Sequence, residues 1–454
     1  MERLYQYLWK SSVAGRRFTL VDGSRLDVID PGRLNNDSGP DFFNAKFKID
    51  GIEWVGNVEI HVKASDWLRH GHDRDKTYDS VALHVVAVND FNPQRSDGAL
   101  IPQLEIVMPQ SFYSRYASLE EKINAVRCER FLGELSSLVI TDWLESLSIE
   151  RMQHKASRVM EIHKATGSDW DQTFFIILAR SLGFGLNGDP FELTAKSIPL
   201  KFLYRHSDSL HQIEALLFGQ AAMLDPGLHP ADSYFQSLCR EYMFLAGKYA
   251  LQPVPPGIWK YSRSRPQNFP HRRIALLAAL LVRGLPSVGR LASFCSDPDS
   301  LMQFFSTELS GFWSGHFSFG DESACAPTRL SKTSLQLLLI NAVAPTVYAY
   351  ASFRGDTNMA EKAIDLLELL PAEKNSIIRQ WENAGLKCDS SLRSQALLHL
   401  RTAYCDVHKC LYCRFAAQLL RSTVRPHPAS GICSLSPFSL ITSFGNLFWV
   451  GAYQ

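Results

Sequence analysis

Ionisable side chains alternate along the segment EWVGNVEIHVK, residues 53–63, in a pattern that could support catalysis. Successive side chains of a β-strand point to opposite faces. Glu59, His61 and Lys63 therefore lie in a row on one face, while the other face is largely apolar. Side chains two residues apart on a strand are roughly 6.6 Å apart, so their polar groups can act on one ligand. Asp41 precedes the neighbouring predicted strand, in the sequence GPD.

Two carboxylates on neighbouring strands, with cationic groups beside one of them, indicate a site for a divalent metal ion. Mg²⁺ and Mn²⁺ take oxygen ligands, and a bound ion lowers the pKa of a water molecule and neutralises a phosphate. We therefore predict that Asp41 and Glu59 bind one such ion and that His61 or Lys63 orients the nucleophile. The alternative is a structural role, in which the polar face is exposed and Glu59 pairs with Lys63.

The position of Asp41 conflicts with a simple alternation along its strand. Asp41 has the same parity as Phe43, Ala45 and Phe47, which are expected on the core side. Its carboxylate can therefore reach the opposite face only if the residue lies before the strand proper or if the strand contains a β-bulge.

Two further histidines follow in the polar segment RHGHDRD and suggest a second way to bind a metal. His70 and His72, with Asp73 and Asp75 nearby, could bind Zn²⁺ or Mn²⁺, which would make the protein a histidine-based metallohydrolase. Alternatively they orient a substrate phosphate at the mouth of the site, and we assign both to substrate binding. His84 lies in an apolar predicted strand and is expected to be a core histidine with satisfied hydrogen bonds.

An arginine-rich segment, RSRPQNFPHRR, contains two prolines and interrupts the helical part of the chain. Guanidinium groups bind phosphates through paired hydrogen bonds, and the nearby aromatic residues are typical of single-stranded nucleic-acid contacts. We therefore predict that DNA or RNA is bound here. The alternative is a loop whose arginines bind helix carbonyls or acidic side chains. The predicted substrate-binding arginines are Arg263, Arg265, Arg272 and Arg273.

Three cysteines with the spacing C-x4-C-x2-C, in AYCDVHKCLYC, predict a second metal site. Cys405, Cys410 and Cys413 could bind Zn²⁺ with His408 or Cys388 as the fourth ligand. An iron–sulfur cluster would normally need a fourth cysteine. The alternative is a set of buried, free thiols.

The texture of the sequence changes from strand-like to helical near residue 118, and a short helix, Glu2 to Trp9, precedes the strands. We predict an α+β fold with an N-terminal mixed-sheet domain, residues 1–120, a large all-α domain, residues 121–425, and an irregular tail, residues 426–454. Apolar residues at helical spacing mark the main helices. The predicted helices of the second domain are Leu138–His163, Asp171–Leu182, Asp208–Met223, Pro230–Tyr249, Arg273–Val282, Ser331–Ala342, Met359–Leu369 and Ser391–His408.

The composition of the 454-residue chain excludes several classes of protein. Its 47 basic and 46 acidic residues give a net charge of +1, so bulk charge does not hold it on nucleic acid or on a membrane. The N-terminus lacks the pattern of a signal peptide, and the longest apolar run, Ile274 to Val282, is too short to span a bilayer. Nine cysteines, an odd number in a long chain, favour reduced thiols in the cytoplasm.

The N-terminal pattern resembles the PD-(D/E)XK nuclease superfamily, in which a Pro-Asp precedes one strand and a Glu-x-Lys lies on the next. The resemblance implies a restriction-endonuclease-like sheet and metal-dependent phosphodiester cleavage, with Asp41 and Glu59 binding the ion. The lysine role falls on His61 by spacing or on Lys63 by residue type, and Glu2 would be the acidic residue of the first helix. Because His61 replaces the expected lysine, the alternative is a catalytically degenerate protein that binds nucleic acid or acts as a scaffold.

The chain from about residue 1 to 420 also resembles a family of uncharacterised bacterial proteins. Stretches that carry this resemblance include GPDFFNAKFKIDGIEWVGNVEIHVK, RPQNFPHRRIALLAALL and YCDVHKCLYC. It supports the two-part architecture and implies no activity.

Overall fold

A computed structural model describes residues 1–12, 15–35, 37–121, 126–262, 265–309, 311–323 and 327–422. These residues form two compact units. One contains Met1–Tyr116 and residues from Leu420 onward, and the other contains Ala117–Leu419. The first unit is built on a mixed sheet and the second is largely helical, as the sequence predicts. The predicted tail, residues 426–454, lies outside the described residues.

The sheet of the first unit changes from antiparallel to parallel at its centre. Its strands follow the order β1-β2-β4-β5-β6-β7, and β3 pairs with β4. The pairs on the β1 side of β5 are antiparallel, whereas β5–β6 and β6–β7 are parallel. The strands are β1 (Arg17–Thr19), β2 (Arg25–Asp30), β3 (Arg33–Leu34), β4 (Phe42–Ile49), β5 (Ile52–Lys63), β6 (Val81–Val88) and β7 (Gln103–Glu105).

Two helices and a short connection position the residues around β5. The first helix, α1 (Glu2–Ser11), contacts β5 and buries Leu4 and Leu8. The parallel connection from β5 to β6 contains α2 (Asp66–Arg69) and a 3₁₀ turn. A parallel pair needs such a crossover because the chain must return to the same end of the sheet.

A β-bulge in β4 solves the conflict in the parity of Asp41. Asn44 has a left-handed φ of 55°, and the pairing of β4 with β5 shifts between Phe42 and Ala45. The side chain of Asn57 accepts a hydrogen bond from the Asn44 amide at 3.1 Å. Phe42 and Ala45 are therefore both buried, although they are three residues apart. Asp41 lies before the strand and on the side opposite to Phe42. The position before the strand and the β-bulge, which the sequence predicted as alternatives, are therefore both present.

The second unit consists of helices joined by short turns and one small hairpin. Helix α3 runs across the boundary between the two units. The remaining elements are α3 (Gln110–Glu120), α4 (Ser137–Ala165), α5 (Trp170–Leu182), α6 (Gly188–Lys196), α7 (Leu200–Tyr204), α8 (Leu210–Gln220), α9 (Ser233–Tyr249), α10 (Pro270–Arg283), α11 (Val288–Ser293), α12 (Pro298–Phe305), β8 (His316–Ser318), β9 (Asp321–Glu322), α13 (Lys332–Leu338), α14 (Ala344–Arg354), α15 (Thr357–Leu369), α16 (Ser376–Asn383), α17 (Ser391–His399) and α18 (Arg414–Arg421).

One helical stretch of the second unit is longer than the sequence predicts. Helices α13 and α14 are joined by a π-helical turn, Leu339–Val343, into a continuous stretch, Lys332–Arg354. The π turn lies directly before Pro345, a residue that cannot donate the usual helical hydrogen bond. By length and composition this stretch could cross a membrane, but 72% of its apolar 18-residue segment is buried inside the fold. That burial fits a core helix of a soluble protein.

We expect the bulge to depend on the backbone conformation of Asn44, because this side chain is exposed and packs against little. Asn44→Val should lower the free energy of unfolding by about 1–2 kcal/mol, since a β-branched residue is strained at positive φ. Asn44→Gly should stay within about 0.5 kcal/mol of the parent protein. Denaturant unfolding of the full chain measures both.

Lys46→Val is the matched control, because Lys46 is also exposed on β4 but lies in its regularly paired part. Equal destabilisation by valine at positions 44 and 46 would contradict the role of the left-handed residue.

Candidate functional site

Two hydrogen bonds that involve backbone amides join Asp41 to the part of β5 that bears Glu59. The Asp41 amide donates to Glu59 Oε2 at 3.0 Å, and the Ile60 amide donates to Asp41 Oδ2 at 3.1 Å. Gln6 from α1 donates to the other oxygen of Asp41 at 2.9 Å. The two acids predicted to bind a metal therefore share one side of the sheet.

A third carboxylate adds to the negative charge at this point. Burial, together with the charges of Glu59 and Glu2, raises the pKa of Asp41 to about 7. Burial and the charge of Glu59 also raise the pKa of Glu2, which is on α1. Acids that oppose one another's ionisation in this way make a site that favours a cation.

Two imidazoles lie next to Glu59 Oε1, and a third lies beside one of them. Glu59 Oε1 is 3.5 Å from His61 Nε2 and 3.4 Å from His72 Nε2, and His61 Nε2 is 3.1 Å from His70 Nδ1. One nitrogen from each of these histidines lies within 4.8 Å of the other two. Ligands bound at 2.0–2.1 Å around a tetrahedral ion are about 3.4 Å apart, so these spacings suit a single transition-metal ion.

The connection after β5 brings the two later histidines back to the strand. Trp67 of α2 is fully buried, and its indole donates to the carbonyl of Gln94 at 3.0 Å. The amide of His72 donates to the carbonyl of Trp67, and the His72 ring stacks on Tyr78 with centroids 3.6 Å apart. Packing of the loop on a buried tryptophan thus positions His72 beside Glu59.

A chain of side chains behind His61 fixes which of its nitrogens is free. Gln103 Oε1 can only accept, so the contact of 3.3 Å with His84 Nδ1 requires a proton on that nitrogen. His84 Nε2 is then an acceptor, and His61 Nδ1 donates to it at 2.9 Å. The side-chain amide nitrogen of Gln103, Nε2, donates to Asn89. His61 therefore presents an unprotonated Nε2 to Glu59 and His70.

The pKa shifts agree with this assignment of protons. Burial lowers the pKa of His61 to about 2, and the neighbouring His84 contributes to the shift. Burial also lowers the pKa of His84 to about 4. Both rings are neutral at pH 7, which is the form that binds metals. His84 is a satisfied core histidine, as the sequence predicts, but its link to His61 was not foreseen.

Lys63 lies at the exposed end of β5, away from this group. Its backbone amide donates to Asp66, whereas its side chain is exposed. The pKa of Asp90 is lowered mainly by hydrogen bonds from Ser65 and in part by the charge of Lys63. Among the described residues no ion pair joins Lys63 to Glu59. Of the two residues predicted to take the lysine role, His61 is the one that lies beside Glu59.

The predicted phosphate-binding arginines are placed very differently from one another. Arg272 is 2% exposed and donates to the carbonyls of Trp313 and His316, both at 2.7 Å. Arg273 is also buried, donates to Asn268 and lies over the ring of Phe184. The contacts of both arginines lie within the helical unit. Those of Arg272 correspond to the carbonyl-binding alternative. Arg265 is exposed, and Arg263 lies outside the described residues.

The three predicted cysteine ligands are joined by a fourth thiol that the sequence spacing did not reveal. Cys405, Cys410 and Cys413 are buried, and all three belong with Cys128 to one cluster of packed, buried side chains. His408, one of the two predicted fourth ligands, is held instead by Arg127 and Glu120. The other, Cys388, is partly exposed and contacts Ser390.

Comparisons with known proteins identify a family and no individual relative. Neither the curated proteins nor the solved structures contain a match to the chain. A family model described as "Protein of unknown function (DUF2851)" matches residues 2–376, which include the whole candidate metal site. The chain therefore belongs to the DUF2851 family of proteins of unknown function.

Proposed function

We propose that the sheet-based unit is a metal-dependent phosphodiesterase that cleaves DNA or RNA, related to the PD-(D/E)XK nucleases. The observation that carries this proposal is the reciprocal pairing of Asp41 with the β5 segment that bears Glu59. An acid from the first helix, Glu2, and a histidine two residues after Glu59 complete the arrangement. The change from antiparallel β4–β5 to parallel β5–β6 pairing also suits the superfamily.

A bound divalent ion would supply a Lewis acid for the phosphate and a water molecule of lowered pKa. Asp41 and Glu59 present the oxygen ligands, and their positions are fixed by backbone hydrogen bonds before any ligand arrives. His61 replaces the superfamily lysine with a neutral ring, so it contributes a ligand nitrogen and no positive charge. Since imidazoles suit transition metals better than Mg²⁺, Mn²⁺ or Zn²⁺ is the favoured ion.

A second candidate function is a histidine-based metallohydrolase that acts on smaller substrates. The specific observation in its favour is the approach of His61, His70 and His72 to one another, and of His61 and His72 to Glu59. In this arrangement Asp41 positions Glu59 and does not bind the ion. Hydrolysis of small phosphoesters with all nucleic acids left intact would favour this candidate over the nuclease.

Substitution of the paired acids should abolish cleavage. With Mn²⁺ or Mg²⁺ and single- or double-stranded DNA or RNA, Asp41→Asn and Glu59→Gln should reduce the rate by at least about 100-fold. Each removes a proposed metal ligand, and loss of an outer-shell partner alone already costs up to about 100-fold. Glu53→Gln is the matched control, because Glu53 is an exposed acid on the same strand, and it should retain full activity.

The proposal fails if the parent protein cleaves none of these substrates with any of the ions, or if Glu59→Gln cleaves as fast as the parent. Binding of nucleic acid without turnover would instead identify a catalytically degenerate, nucleic-acid-binding protein.

Metal binding itself separates the roles of the histidines. We expect one Mn²⁺ or Zn²⁺ ion per chain, with binding lost in His72→Ala. His84→Leu should bind roughly 10- to 100-fold more weakly, because it removes the partner that orients His61 and no ligand. His154→Ala, at an exposed position of α4, is the control. Calorimetric titration of the metal-free protein gives the affinities. Unchanged affinity in His72→Ala would exclude His72 as a ligand.

A further inference from the structure

Four buried thiols come together in the helical unit from its two ends. Cys128 lies near the start of the unit, and Cys405, Cys410 and Cys413 lie near its end. Each is free and 6–8% exposed. All four belong to one cluster of packed, buried side chains, which also contains Trp143. A metal centre that binds all four would therefore stabilise the packing of the two ends of the unit against each other.

Hydrogen-bond donors already surround the sulfur of Cys413. Burial raises its pKa, while the backbone N–H groups of Ala416 and Phe415 and the indole of Trp143 act in the opposite direction. Trp143 is 6% exposed, and its Nε1 has no hydrogen-bond partner among the described residues. A buried donor without such a partner is costly unless a strong acceptor is present. A metal-bound thiolate would be that acceptor, and N–H groups directed at cysteine sulfurs tune iron–sulfur clusters.

A buried positive charge connects the two cysteine-bearing segments. Arg127, which precedes Cys128, is 6% exposed. It donates to the carbonyl of Cys405 at 3.0 Å and to those of Leu119 and Glu120 at 3.1 and 3.2 Å. Among the described residues it also contacts a ring nitrogen of His408. None of these four contacts is to a carboxylate, so the guanidinium charge suits an anionic thiolate centre beside it.

The spacing of the cysteines favours a cluster over a single zinc ion. Sulfurs around one tetrahedral zinc are about 3.8 Å apart, because Zn–S bonds are about 2.3 Å long. Among the described residues, the group of three ligand atoms within 4.8 Å is formed by histidines and contains none of these sulfurs. An iron–sulfur cluster binds its cysteines through different irons and therefore spreads them further. The spacing C-x4-C-x2-C with one distant cysteine is also a cluster-binding pattern.

We propose that Cys128, Cys405, Cys410 and Cys413 bind an iron–sulfur cluster that joins the two ends of the helical unit. Two turns of the backbone lie at the proposed ligands. A π-helical turn ends at Cys405, and a 3₁₀ turn begins at Cys410. Arg127 and Trp143 then supply the charge and the hydrogen bond that a thiolate-bound cluster requires. This site is independent of the phosphodiesterase proposed above.

The test uses the full chain, purified without oxygen or reconstituted with ferrous iron and sulfide. We expect iron and acid-labile sulfide in equal amounts, a visible charge-transfer absorption, and an electron paramagnetic resonance signal after reduction. Cys128→Ser and Cys410→Ser should each lower the iron content at least about tenfold. Cys295→Ser, a buried free thiol elsewhere in the same unit, should leave it unchanged.

A second variant keeps the test decisive if loss of a ligand prevents folding. Trp143→Phe retains all four thiols, so the cluster should form with normal iron content. Its reduction potential should fall, because the indole donor that the bound thiolate centre would use is removed. Stoichiometric zinc without iron, no metal after reconstitution, or full iron content in Cys128→Ser would each overturn the proposal.

Discussion

Two hydrogen bonds between Asp41 and β5, one from the Ile60 amide and one to the Glu59 side chain, are the constraint on which the candidate active site depends. The Asp41 carboxylate accepts from the Ile60 amide, and the Asp41 amide donates to the Glu59 carboxylate. With both bonds in place, the Asp41 side chain cannot rotate away from Glu59. This geometry exists only because the bulge at Asn44 puts Asp41 on the opposite side from the buried Phe42. One left-handed residue in an exposed part of β4 therefore determines whether Glu59 has a partner.

A second constraint acts through protons. Neutral imidazole rings have one donor and one acceptor, so a line of them ending at an amide oxygen can be protonated in only one order. Gln103 on β7 sets that order for His84 on β6 and for His61 on β5. The parallel pairing of these three strands aligns the residues across the sheet. The sheet thus determines the tautomer of His61 as well as its position.

The sequence predicted those features that depend on local spacing. Strand alternation placed Glu59 on a polar face, and the parity of Asp41 required a bulge or an early strand, both of which are present. The helix that contains Pro345 was predicted too short, because a proline within a helix reads as an end unless a π turn accommodates it. Gln103 and Cys128 were missed because each acts through residues that the fold brings close, and no local motif marks either of them.

The two proposed centres differ in how the chain assembles them. Asp41 and Glu59 are 18 residues apart and are brought together by one pair of antiparallel strands. Arg127 and the carbonyl of Cys405 are 278 residues apart, so the whole helical unit must fold before they meet. Closing such a long segment has an entropic cost that local pairing avoids. A centre made from four strong metal–sulfur bonds suits the second place, because it stabilises contacts that the intervening helices alone must otherwise maintain.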